Sequence, residues 1–116
     1  MAKKKVTRIA NDTRPGVAET YEVKGYSAKA CQLDAQAIEL GYKPEFHLNV
    51  FVVAGESLLE AVLPFGKSHV YLALTSKHDT DDVARMRDKP QALADYAAIR
   101  VGPAVRTFID AIAMRL

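Results

Sequence analysis

The sequence predicts an α/β (or α+β) domain. It would hold a small mixed, mainly parallel sheet of about three to four strands packed by helices, with an all-helical C-terminal part. Three observations predict it. Val50 to Ala54 is an unbroken apolar run, the pattern of a strand covered on both faces. Ala30, Leu33, Ala37 and Leu40 recur at helical spacing, as one face of an amphipathic helix does. Strand-like and helix-like segments then alternate along the chain, as they do around a parallel sheet.

Residues 1–16 read as a flexible basic arm ending in a turn. Lys3, Lys4, Lys5, Arg8 and Arg14 stand there against Asp12. Asn11 to Gly16 is dense in turn formers. Lys5 to Ile9 alternates weakly and can pair as a hairpin with a strand in 17–24, where Thr20, Tyr21 and Val23 favour extended backbone. The folded domain is expected over 17–116. Ser27 is a candidate N-cap for a helix over 28–40. Gly41 would follow its last turn, and Pro44 lies beyond the stop.

Phe46 to Ala54 is the central strand. Gly55 is expected to turn it directly into a short helix over 56–63, which Pro64 and Gly66 end. Val70, Leu72 and Leu74 alternate with Tyr71 and Ala73 in the next strand, 69–75. The connection 55–68 has about the length of a right-handed parallel crossover. Thr80 opens a helix whose first turn carries Asp81 and Asp82, where the helix dipole favours acids. Pro90 starts another, and Gly102-Pro103 is expected to break it. Val105, Phe108, Ile109, Ile112 and Leu116 form the stripe of a last helix. Short apolar runs are ambiguous, so an all-helical chain is the alternative, with helices over 46–63 and 68–76. The density of valine around Phe51 arbitrates for strands.

At 116 residues the chain has the size of one domain. Hydrophobic residues make up 49% and charged residues 26%, which excludes wholesale disorder. No apolar run approaches the roughly 20 residues that span a bilayer, so no membrane partner is expected. The lysines at 3–5 have no apolar segment behind them, unlike a secretory signal. Cys31 is the only cysteine. It cannot form an internal disulfide or a cysteine zinc cluster, and it fits a reducing cytoplasm. Residues 1–14 carry a local +4 within the net charge of +2, which leaves the remainder near −2, so the body is a poor platform for duplex DNA by itself.

The predicted carboxyl edge of the sheet gathers three loops that lead into helix N-termini. Ser27, Gly55, Ser57, Lys77 and His78 would form an anion site there for a phosphate or carboxylate. Helix capping alone also explains Ser27 and Thr80. His78 to Asp82, with His47 or His69, lacks the spacing of a metal site, so no metal and no cofactor are assigned. Ser57 with His78 and Asp79 or Asp82 lacks the second glycine of a nucleophile elbow, so no catalytic residue is assigned. Gly66-Lys67-Ser68 ends like a phosphate-binding loop, but Ala61 occupies the position of the required glycine.

The expectation is therefore a small cytoplasmic, non-catalytic binding or adaptor protein. It would bind a small anion or a protein partner and form a homodimer through its C-terminal helix. One alternative is a nucleic-acid-binding regulator. It would use a helix-turn-helix near 58–76, with Lys3, Lys4, Lys5, Lys67 and His69 as contacts. The other is a small hydrolase or metal-dependent enzyme.

Overall fold

A computed structural model describes residues 4–113 of the chain. Strands β1 (Lys5–Ile9), β2 (Val17–Lys24), β3 (Phe46–Val53), β4 (Glu56–Phe65) and β5 (Ser68–Ala73) form one sheet in that spatial order. Every neighbouring pair is antiparallel. Helix α1 (Ala35–Glu39) joins β2 to β3, and α2 (Thr80–Met86) and α3 (Pro90–Ala113) follow the sheet. The expected mainly parallel sheet of three to four strands is therefore corrected to an antiparallel meander of five. The hairpin foreseen between 5–9 and 17–24 is present.

The correction turns on residues 54 and 55. Ala54 has φ 51° and Gly55 has φ 79°. Two central residues at positive φ make a type I′ turn, whose twist matches the flanking strands. Gly55 thus reverses β3 into β4 instead of opening a helix. No parallel crossover over 55–68 exists, and the helix expected over 56–63 is a strand. Glu56, Leu58, Leu59, Glu60 and Ala61 favour helix by only tenths of a kcal/mol each. Against that, Ser57, Leu59, Ala61 and Leu63 alternate into the core. Each buried leucine contributes roughly 2 kcal/mol. Pro64 is tolerated because β3 starts at Phe46, so its missing N–H leaves no β3 bond unmade. The Gly66-Lys67 turn closes β4 onto β5, so the helix-turn-helix considered for 58–76 is a second hairpin.

Two helical expectations also change. The helix expected over 28–40 shrinks to the short α1, and its N-cap is Asp34, whose carboxylate accepts the Ala37 N–H at 2.8 Å. Residues 27–33 form tight turns and pass Gln32 at φ 60°. They lie directly against α3, where the Gly102 N–H donates to Cys31 O at 2.8 Å. The break expected at Gly102-Pro103 is absent, and α3 runs through it. Its Gly102 N–H finds a partner outside the helix, and the next residue, Pro103, has none to place.

One face of the sheet carries the core. Tyr21, Val23, Phe46, Leu48, Val50, Leu59, Leu63 and Leu72 meet Val83 of α2 and Leu93, Ala97, Val101 and Val105 of α3. Arg87, at the end of α2, clamps Glu19 of β2 with bonds of 2.9–3.1 Å. At the N-terminal end of α3, the Tyr26 hydroxyl donates to Asp95 and accepts from Gln91. Burial, followed by Asp95, raises the pKa of that phenol.

Candidate functional site: the second face of the sheet

Side chains alternate across a strand, so each strand that fills the core also presents a second set of residues. Register aligns that set in rows. Glu22, His47, Val62 and Tyr71 form one row, and Thr20, Asn49, Glu60 and Ala73 the next. The loop after β1, residues 10–16, curls over part of this face.

Arg14 holds the loop down. Its guanidinium bonds Asp12 at 3.0–3.1 Å and Glu60 with both terminal nitrogens. It also lies 5.3 Å from the Phe51 ring centroid and 4.6 Å from that of Tyr71, within cation–π range. Beneath it sits Asn49, only 1% exposed. The Asn49 amide donates to Glu60 at 3.2 Å, and its carbonyl accepts from the Thr20 hydroxyl at 2.7 Å. Thr20 in turn accepts the Asp12 N–H at 2.9 Å. The hydrogen bonds from Arg14 hold the Asp12 carboxyl below the usual carboxylate range. Glu60 and Asp12 raise the pKa of Arg14 still further above neutrality.

Two open grooves flank this network. One, of about 250 Å³, runs past Glu22, Glu45, His47, Pro64 and His69. The other, of about 270 Å³, is bounded by Asp12, Asn49, His47, His69 and Tyr71. His47 Nε2 stands 3.9 Å from a Glu22 carboxylate oxygen, and both side chains are well exposed. The buried polar groups of the network bond one another. That closure makes them a brace for the loop rather than a set of free acids and bases. Among the described residues, no three histidine, cysteine, aspartate or glutamate side chains gather to hold a metal ion.

The residues expected to bind an anion are divided by the topology. Gly55 lies in the β3–β4 turn, and Ser57 follows it on β4 with its side chain in the core. Lys77 and His78 are exposed in the loop after β5. That loop starts at the same end of the sheet, since the Leu59 N–H donates to Thr75 Oγ1 at 2.9 Å. Ser27 follows β2, whose last residues pair with the start of β3. It therefore sits at the opposite end, and its hydroxyl accepts the Ala30 N–H. An antiparallel sheet has no common carboxyl edge, so the arrangement that was to unite these five residues is absent. Asp79 stands at the N-cap position of α2 but makes no side-chain capping bond; its carboxylate accepts from the Ser76 hydroxyl at 2.9 Å.

The alternative nucleic-acid contacts fall as follows. Lys3 lies outside the described residues. Lys4 Nζ stands 5.0 Å over the Tyr26 ring. Lys5 opens β1 opposite Lys24. Lys67 is in the β4–β5 turn, and His69 lies on β5. Cys31 is 0% exposed, and burial pushes its thiol up to about 11, as for a packed side chain.

Sequence reasoning missed Asp12, Arg14, Thr20, Asn49 and Glu60 as a group. One signal was present: Asn49 interrupts the apolar strand, and a buried amide requires partners. Their identity needs the register, because Arg14 and Glu60 are 46 residues apart. No protein-family description, no curated protein and no solved structure matches this chain. Among the described residues, no helix is long and apolar enough to cross a membrane.

Proposed function

We propose that this chain is a small non-catalytic binding or adaptor protein whose working surface is the second face of its sheet. One observation carries the reading. The Asp12–Arg14–Glu60–Asn49–Thr20 network pins a loop onto that face and leaves a fixed, shallow surface rimmed by His47, His69 and Tyr71. Small molecules are usually taken into deep, mostly apolar pockets. Two open, shallow grooves fit a macromolecular partner better, and aromatic residues at such a surface serve as anchors. The buried thiol of a single cysteine supports a cytoplasmic location.

The test compares three baits for partner capture from the native cell: the wild type, His69→Ala/Tyr71→Ala, and a control altered on α3, Thr107→Ala. The proposal expects a defined partner that the wild type and the control retain and the double variant loses by at least about tenfold in affinity. Equal retention by all three baits would remove the face from the mechanism. A thermal shift with inorganic phosphate, abolished in Lys77→Ala, would move the function to the loop after β5.

A further inference from the structure

We propose that the outer edge of β5 is a self-association surface, where two copies of this chain join as one continuous antiparallel sheet. The parity of the strand shows what that edge offers. The Leu74 N–H donates to Leu59 O at 3.0 Å, so residues in step with Leu74 turn their N–H and C=O toward β4. In an antiparallel ladder the intervening residues point the other way. His69, Tyr71 and Ala73 therefore aim their backbone groups away from the sheet. Among the described residues nothing bonds to those groups, and all three residues are exposed, Tyr71 by 54%.

The two edges of the sheet differ in chemistry. β1 carries Lys5 and Arg8, with Lys4 just before it. Charges of this kind keep an edge strand from pairing with another chain. β5 reads Ser68-His69-Val70-Tyr71-Leu72-Ala73, with no lysine, arginine, acid or proline. It is long enough to template a partner, and nothing in its own side chains opposes pairing.

A second copy fits this edge because the strand is complementary to itself. A two-fold axis through Tyr71 sets Tyr71 against its counterpart, His69 against Ala73, and Val70 against Leu72. Each of the three outward residues then both donates and accepts. Aromatic side chains meet on one face of the sheet, aliphatic ones meet on the core face, and like charges never face each other. Pairing of β5 with β1 of another copy would be head-to-tail and open-ended, whereas the β5–β5 contact closes. Strand β5 spans roughly 20 Å at about 3.3 Å per residue, so the contact belongs to the small, weak class of interfaces.

The test is sedimentation velocity on the full chain from about 5 to 500 μM, with amide hydrogen exchange at both ends of that range. The expected result is a monomer–dimer equilibrium. The amides of His69, Tyr71 and Ala73 should gain protection with concentration, while those of Val70 and Leu72 are protected throughout. Ala73→Pro removes an outward donor without touching the β4 ladder, and it should weaken the dimer at least about tenfold while the melting temperature holds. Tyr71→Lys and Tyr71→Glu should each be monomeric alone and should pair when mixed. That exchange of charges decides the matter even if Ala73→Pro fails to fold. A wild type that stays monomeric at the highest concentration overturns the proposal. So does a dimer that survives Ala73→Pro and both charged variants, which would place the contact elsewhere, such as on the exposed side of α3.

Discussion

Replacing Gly102 by alanine should destabilise this protein, even though alanine is the better helix former. Two effects compete. Within a helix the exchange gains about 1 kcal/mol. Against it, a Cβ at position 102 would stand 1.9 Å from Gln32 O, 2.3 Å from Gln32 C and 2.8 Å from Cys31 O. These are backbone atoms, so no side-chain rotation relieves the overlap. Ordinary contact requires the loop to withdraw from α3 by roughly 1.5 Å. That withdrawal breaks the Gly102 N–H to Cys31 O bond, which costs about 1–3 kcal/mol for buried groups. It also draws Cys31 and Leu33 partly out of the core, at a further cost of roughly 1–3 kcal/mol. The net loss is about 1–5 kcal/mol, so at a slope of about 2 kcal/mol/M the urea midpoint should fall by roughly 0.5–2.5 M with little change in slope. A variant that unfolds at or above the wild-type midpoint would refute the close approach of the 31–32 loop to α3.

Two further outcomes follow from the same structure. Ala54→Asn places a residue tolerant of positive φ in the type I′ turn and should raise stability by about 0.5–1 kcal/mol, a gain of a few degrees in Tm. A lower Tm in the thermal melt would contradict the turn assignment. Arg14→Ala should remove an acid-side dependence of stability. The Asp12 pKa is lower in the folded chain than in the unfolded chain, so its contribution is present above about pH 4, the unfolded value. It disappears as pH falls through the folded value. The stability gap between wild type and variant, read from urea titrations, should be widest near neutrality and narrow below about pH 4. A gap unchanged between pH 7 and pH 3 would show that Arg14 acts by packing on Phe51 and Tyr71 alone.

Much of the core was legible without coordinates. Phe46, Leu48 and Val50 lie in a buried strand, and Val70 and Leu72 alternate into the core as their spacing implies. The hairpin between β3 and β4 was hidden because its turn is Ala-Gly rather than the stronger Asn-Gly signal. Glu56 to Leu63 was hidden because helix propensity is local, whereas its alternation matters only once strands flank it on both sides. The candidate site was less legible than the fold. Arg14 read as part of a charged arm, and Glu60 as part of a helix.

By itself, the amino-acid order determined which segments are apolar enough to be buried, where helix α3 begins and the alternation of residues 70–74. These properties belong to single residues and near neighbours, so a local reading reaches them. Strand direction, the continuity of α3 through Gly102-Pro103 and the meeting of Arg14 with Glu60 were decided only by tertiary structure. Each depends on a backbone group or charge finding a partner far along the chain, and those partners acquire positions only when the whole sheet has closed.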